Sequence, residues 1–97
     1  MSDREVRIEL RDLGDWDARQ LLAEYDPEAR TIRIAARAHA RIRDRLGEPL
    51  AAAFIAHAVA HERFHIAHPD GSESRARAFA HAISGVGAAV FEAALRT

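Results

Sequence analysis

The chain reads as an α+β domain: a small N-terminal sheet of about three strands, antiparallel or mixed, followed by three helices. Three observations carry that reading. Residues 5–10 and 21–35 alternate apolar and polar side chains, the period of strands. From residue 36 onward the spacing is helical and rich in Ala. The breaks between segments carry turn chemistry, at Asp26-Pro27, at Gly47 and at His68-Pro69-Asp70-Gly71. With 97 residues, the whole chain suits a single domain.

The elements follow in order. In EVRIEL, Val6, Ile8 and Leu10 share one face of a strand. DLGDWDA is a turn, with a short helical turn capped by Asp15. LLAEYDPEARTIRIA is a hairpin: Leu21, Ala23 and Tyr25 alternate on the way in, Ile32 and Ile34 on the way out. ARAHARIRDRLG, residues 36–47, is an exposed helix closed by Gly47. Pro49 suits the first turn of the next helix, which spans about residues 50–67. HPDG ends it, and Ser72 is a good N-cap for a last helix running toward Arg96. Gly85 and Gly87 mark where that last helix splits or bends.

Composition narrows the function classes. The formal net charge of −1 implies neither nucleic acid nor an anionic membrane surface as partner. No apolar run approaches the ~18 residues of a membrane span, and no charged-then-apolar leader opens the chain, so a cytoplasmic protein is expected. Ala accounts for 22 of the 97 residues, so the core should be thin and a bound metal or a second subunit would stabilise it. Gly85-Val86-Gly87-Ala88-Ala89 permits close helix approach, within one chain or at a homodimer seam. Cys is absent, which leaves His, Asp and Glu as the strong metal ligands.

Residues 57–68, HAVAHERFHIAH, hold four of the six histidines. With Leu50 at zero and about 100° per residue, Phe54 falls near 40°, His57 near −20°, His61 near 20°, His65 near 60° and His68 near 0°. All four imidazoles therefore share the face of Leu50 and Phe54, the expected buried face. Buried polar groups need partners, because an unsatisfied one costs about 1–3 kcal/mol. A metal ion supplies them. His61 and His65, four residues apart, place two imidazoles one turn apart within reach of one ion. Glu62 lies beside that pair, where a carboxylate takes a proton from a metal-activated water without ligating the metal. The alternative is a packed polar seam. A third ligand is required. Glu73, opening the last helix after a short turn, is favoured; His81 and then His68 follow. His57 reads as a core or supporting histidine.

These residues resemble the zincin metallopeptidases of the gluzincin type, and more closely the minigluzincins. HERFH matches their H-E-x-x-H helix. Glu73-Ser74-Arg75-Ala76-Arg77-Ala78-Phe79 is similar to the opening of their glutamate helix, and YDPEARTIRI to their strand pair beside the cleft. The resemblance spans about residues 21–84. It implies a zinc-dependent peptidase with His61, His65 and Glu73 as zinc ligands, Glu62 as catalytic base, and a peptide or protein as substrate. Arg63 departs from the stricter signature, which prefers an uncharged residue between the histidines. At about 220° it points away from the metal face. The strand at Thr31–Ala35 is expected to align an extended peptide by β-addition. Tyr25, His81 and an Arg are candidate oxyanion partners. Three rival readings are a zinc-binding module without hydrolysis, a di-iron helical protein built on Glu62-x-x-His65, and a metal-free oligomer. The di-iron reading lacks the second E-x-x-H it requires.

Overall fold

The computed structural model describes residues 6–13 and 22–96. Three strands come first: β1 (Arg7–Arg11), β2 (Ala23–Asp26) and β3 (Thr31–Ala35). Four helices follow: α1 (Ala36–Leu46), α2 (Glu48–Ala67), α3 (Glu73–Ser84) and α4 (Ala88–Leu95). The domain is α+β, and its sheet is mixed, in the order β1-β3-β2. β1 runs parallel to β3, and β2 antiparallel to it. The expected cap at Asp15 and the position of Leu21 lie outside the described residues.

The hairpin forms as its sequence predicts. Oδ1 of Asp26 accepts the backbone N–H groups of Glu28 and Ala29 and closes the turn. Arg30 takes a left-handed φ of 51° and leads into β3. Opposite partners Tyr25–Ile32 and Ala23–Ile34 put the apolar residues of β2 and β3 on the helix side. Arg33 points the other way. Its guanidinium bonds Glu9 at 3.3 Å, Glu24 at 3.2 Å and Asp26 at 3.0 Å, tying all three strands on the outer face.

β3 is the central strand, and Ile32, Ile34 and Ala35 on it are buried. They meet Ile42 of α1, Phe54 of α2, and Phe91 and Leu95 of α4 in one core cluster. Buried alanines fill the space between these few large side chains: Ala38, Ala51, Ala58 and Ala94 belong to the same cluster. The core is thin, as the composition predicts. α1 is less exposed than expected, because Ala38 and Ile42 are both fully buried.

The last helical region is two helices rather than one. Gly85 adopts the left-handed conformation at φ 79°, and its N–H closes on the carbonyl of His81. A residue with a side chain is strained there, so the chain stops and turns. α4 then departs at 93° to α3. Among the described residues no single helix is long and apolar enough to cross a membrane.

Candidate metal centre

α2 carries His57, His61 and His65 along its C-terminal half. Pro49 sits in its first turn, and Ala-rich segments continue it without a β-branched run. His68 is its C-cap, at φ −133°. The chain reverses through Pro69 and Asp70, and Ser72 caps α3 by accepting the N–H of Arg75. α3 returns against α2, with Ala76 and Ala80 fully buried on it. Such small side chains let two helices approach closely. Phe64 of α2 and Phe79 of α3 pack with ring centroids 5.8 Å apart and secure the pairing. Gly71 sits against the same ring. A Cβ there would lie 2.6 Å from Cε2 of Phe64 and 3.1 Å from the carbonyl oxygen of His68.

This reversal brings Glu73 over the histidines. Nε2 of His61 lies 2.7 Å from one carboxylate oxygen of Glu73, and Nε2 of His65 lies 3.1 Å from the other. One ligand atom from each of the three falls within 4.8 Å of the others. Of the three candidates for a third ligand, Glu73 is the one the fold brings beside His61 and His65. The expectation that all four histidines share a buried face needs correction. His57 is buried, His61 and His65 are half-buried, and His68 is exposed because the helix ends at it. His81 is exposed on α3, with its ring against Gly87. Neither His68 nor His81 joins the cluster.

Electrostatics tie the three together. The Glu62 carboxylate beside His61 raises the pKa of its imidazole; burial opposes this, and Glu73 adds to the rise. Partial burial pushes the Glu73 carboxyl upward, but its contacts with His61 and then His65 hold it below the usual carboxylate value. Glu62 is the least exposed of the group, with 16% of its side chain accessible. Its Oε2 lies 3.7 Å from Nδ1 of His61, the ring nitrogen that faces away from Glu73.

His61, Glu62 and Glu73 open onto a cleft of about 490 Å³. Phe54, His57, Ala58 and Phe91 line it too, and Arg77, Glu92 and Arg96 contribute charged groups. Arg77 bonds Glu92 at 3.1 Å across α3 and α4. Comparison with protein-family models, curated proteins and solved structures finds no match. The geometry of the centre therefore stands on its own: two imidazoles and a carboxylate that could hold a metal ion.

Two further expectations change. Neither Tyr25 nor His81 lines this cleft; the Arg residues beside it are Arg77 and Arg96. β3 is not an available edge, since β1 and β2 pair with its two sides. The strand beside the cleft is β2, whose Ala23 lines it together with Leu22. Arg63, in contrast, keeps to its predicted side. It is exposed and borders an apolar depression formed with Ile55, Val59, Phe79 and Ile83. Sequence reasoning did not find Arg77, Glu92 or Arg96 as cleft residues. Glu92 and Arg96 reach the cleft, and Glu92 meets Arg77, through the bend between α3 and α4, for which the paired glycines were the signal.

Proposed function

We propose that the protein is a zinc-dependent metallopeptidase. The observation that carries this reading is the convergence of His61, His65 and Glu73 within 4.8 Å beside an open cleft, with Glu62 on the cleft wall outside the ligand set. Two imidazoles and one carboxylate form a donor set of catalytic zinc sites, which keep one position for water. The resemblance of HERFH and ESRARAF to the minigluzincins supports the same assignment.

His61, His65 and Glu73 would hold the ion. Bound there, zinc supplies a Lewis acid that lowers the pKa of water toward neutrality and polarises a carbonyl oxygen. Glu62 takes the proton of the attacking water as general base and passes it to the leaving amine. Its slight exposure suits that task, because bulk water competes little for its oxygens. β2 is an edge strand among the described residues, and its backbone groups are available to align an extended peptide beside the cleft.

One observation favours a second reading. The 3.7 Å approach of Glu62 to Nδ1 of His61 suits a carboxylate that orients a metal-bound histidine. In that role the protein would bind zinc without hydrolysis. Glu62→Gln separates the two. The peptidase reading expects the variant to keep its zinc and to lose about 10²- to 10⁴-fold in peptide cleavage. Cleavage equal to wild type would exclude Glu62 as the base. Zinc-loaded wild type that cleaves no peptide would leave the second reading.

A further inference from the structure

His57 is unused by the mechanism above, yet it lies one turn before His61 and lines the same cleft. The residue is 7% exposed, and its ring packs edge-on against Phe91 with centroids 5.4 Å apart. Nδ1 lies 3.2 Å from the carbonyl oxygen of Val86 and 3.3 Å from Oγ of Ser84. The carbonyl only accepts. The Ser84 hydroxyl already donates to that carbonyl at 2.9 Å and accepts the N–H of Val86 at 3.1 Å. Nδ1 therefore has two acceptors in front of it and must carry the ring proton. The other nitrogen, Nε2, is left with a bare lone pair.

No described group bonds Nε2, and no buried side-chain nitrogen or oxygen among the described residues lacks a partner. Nε2 is thus not sealed in the core. The cleft is the opening beside it. Burial also pushes the pKa of the imidazole down, which keeps the ring neutral and the lone pair free.

We infer that His57 is a substrate-positioning residue whose Nε2 accepts a hydrogen bond from a backbone amide N–H of the peptide bound in the cleft. The inference rests on the peptidase reading and adds to it a recognition group. The chemistry of the surroundings selects the donor. Phe54, Ala58 and Phe91 make the nearby wall apolar, which suits a neutral donor. A cation would sit better on Glu62, Glu73 or Glu92, and an anion would meet the lone pair. The spacing agrees. His57 precedes His61 by about 6 Å along the helix, at about 1.5 Å per residue. An extended peptide advances about 3.3 Å per residue, so the donor lies within about two residues of the carbonyl held at the ligands.

The test uses the full chain carrying Glu62→Gln, loaded with zinc, and the capped peptide acetyl-Ala-Ala-Phe-Ala-Ala-amide. Nitrogen-15 NMR of the free protein should find His57 protonated at Nδ1 and bare at Nε2. A proton on Nε2 would overturn the inference whatever the zinc site does. On titration with the peptide, the Nε2 resonance should shift toward that of a hydrogen-bonded nitrogen. One of a series of singly N-methylated peptides should fail to cause that shift. In the same background His57→Phe should weaken peptide binding about five- to tenfold, the size of one hydrogen bond. His57→Gln, which keeps an acceptor near the place of Nε2, should restore most of it. Equal losses in both variants would assign His57 a structural role only. Peptide binding with an unmoved Nε2 would overturn the inference and leave the peptidase reading standing. Absence of binding to any peptide in the series would overturn the peptidase reading, and the inference with it.

Discussion

At the residue scale the candidate centre depends on Gly71 as well as on His61, His65 and Glu73. Phe64 is held between Phe79 and His68, with centroids 5.8 and 4.8 Å away, so its ring has little room to yield. Gly71→Ala should cost about 1–3 kcal/mol through overpacking and displace the turn that carries Glu73. Thermal unfolding and zinc titration would detect both effects, and a variant with unchanged stability and affinity would contradict the close approach. The pairing of His61 and His65 was legible because four-residue spacing on a helix is a local property. Glu73 was legible for a related reason: a Pro-Asp-Gly turn and a Ser N-cap allow only a short path back. The fate of His68 was not, since its angle on an ideal helix matches Leu50, whereas the real helix has ended by then.

At the element scale the first turn of α3 and the β2–β3 turn carry the most local information. Ser72→Ala should remove the bond to the N–H of Arg75 and cost about 1 kcal/mol, read by chemical denaturation. In the hairpin, Asp26 is held below its usual pKa, first by the Ala29 N–H and then by Arg33, with that of Glu28 adding to them. Its folded value is depressed, so its charge stabilises the fold at pH above 3.8, the ordinary value, and that contribution is lost as pH falls through the lowered one. Asp26→Asn keeps the turn geometry and removes the charge. It should unfold more easily than wild type at neutral pH, and the difference should vanish in acid. A difference independent of pH would mean that the ion pair with Arg33 is not its source. The hairpin was legible because both strands and the turn lie within 15 residues. The central position of β3 was not: it depends on β1 pairing in parallel from the far side, and alternation along TIRIA reads the same at an edge or in the middle.

At the scale of the whole molecule, a few large side chains hold the sheet and helices together. Phe91 touches both functions of the fold: it packs on Phe54 at 5.4 Å in the core and on His57 at the cleft. Phe91→Ala should cost about 3–5 kcal/mol, a large part of the 5–15 kcal/mol typical of a small domain. A loss below about 1 kcal/mol would contradict the thin-core account. The walls of the cleft were the least legible part, because Arg77, Glu92 and Arg96 meet only through the bend at Gly85, a long-range consequence of one backbone angle. In a core this sparse, a bound ion adds stability that grows with the logarithm of its concentration relative to its dissociation constant. The most direct measurement is metal content per chain by native mass spectrometry, on protein purified without an affinity-tag metal, for wild type and His61→Ala. About one zinc per wild-type chain, absent from the variant, is the predicted result, together with a higher melting temperature when zinc is added to the stripped wild type. Metal-free wild type whose melting temperature does not respond to zinc would make the histidines a packed polar seam and contradict the metal centre.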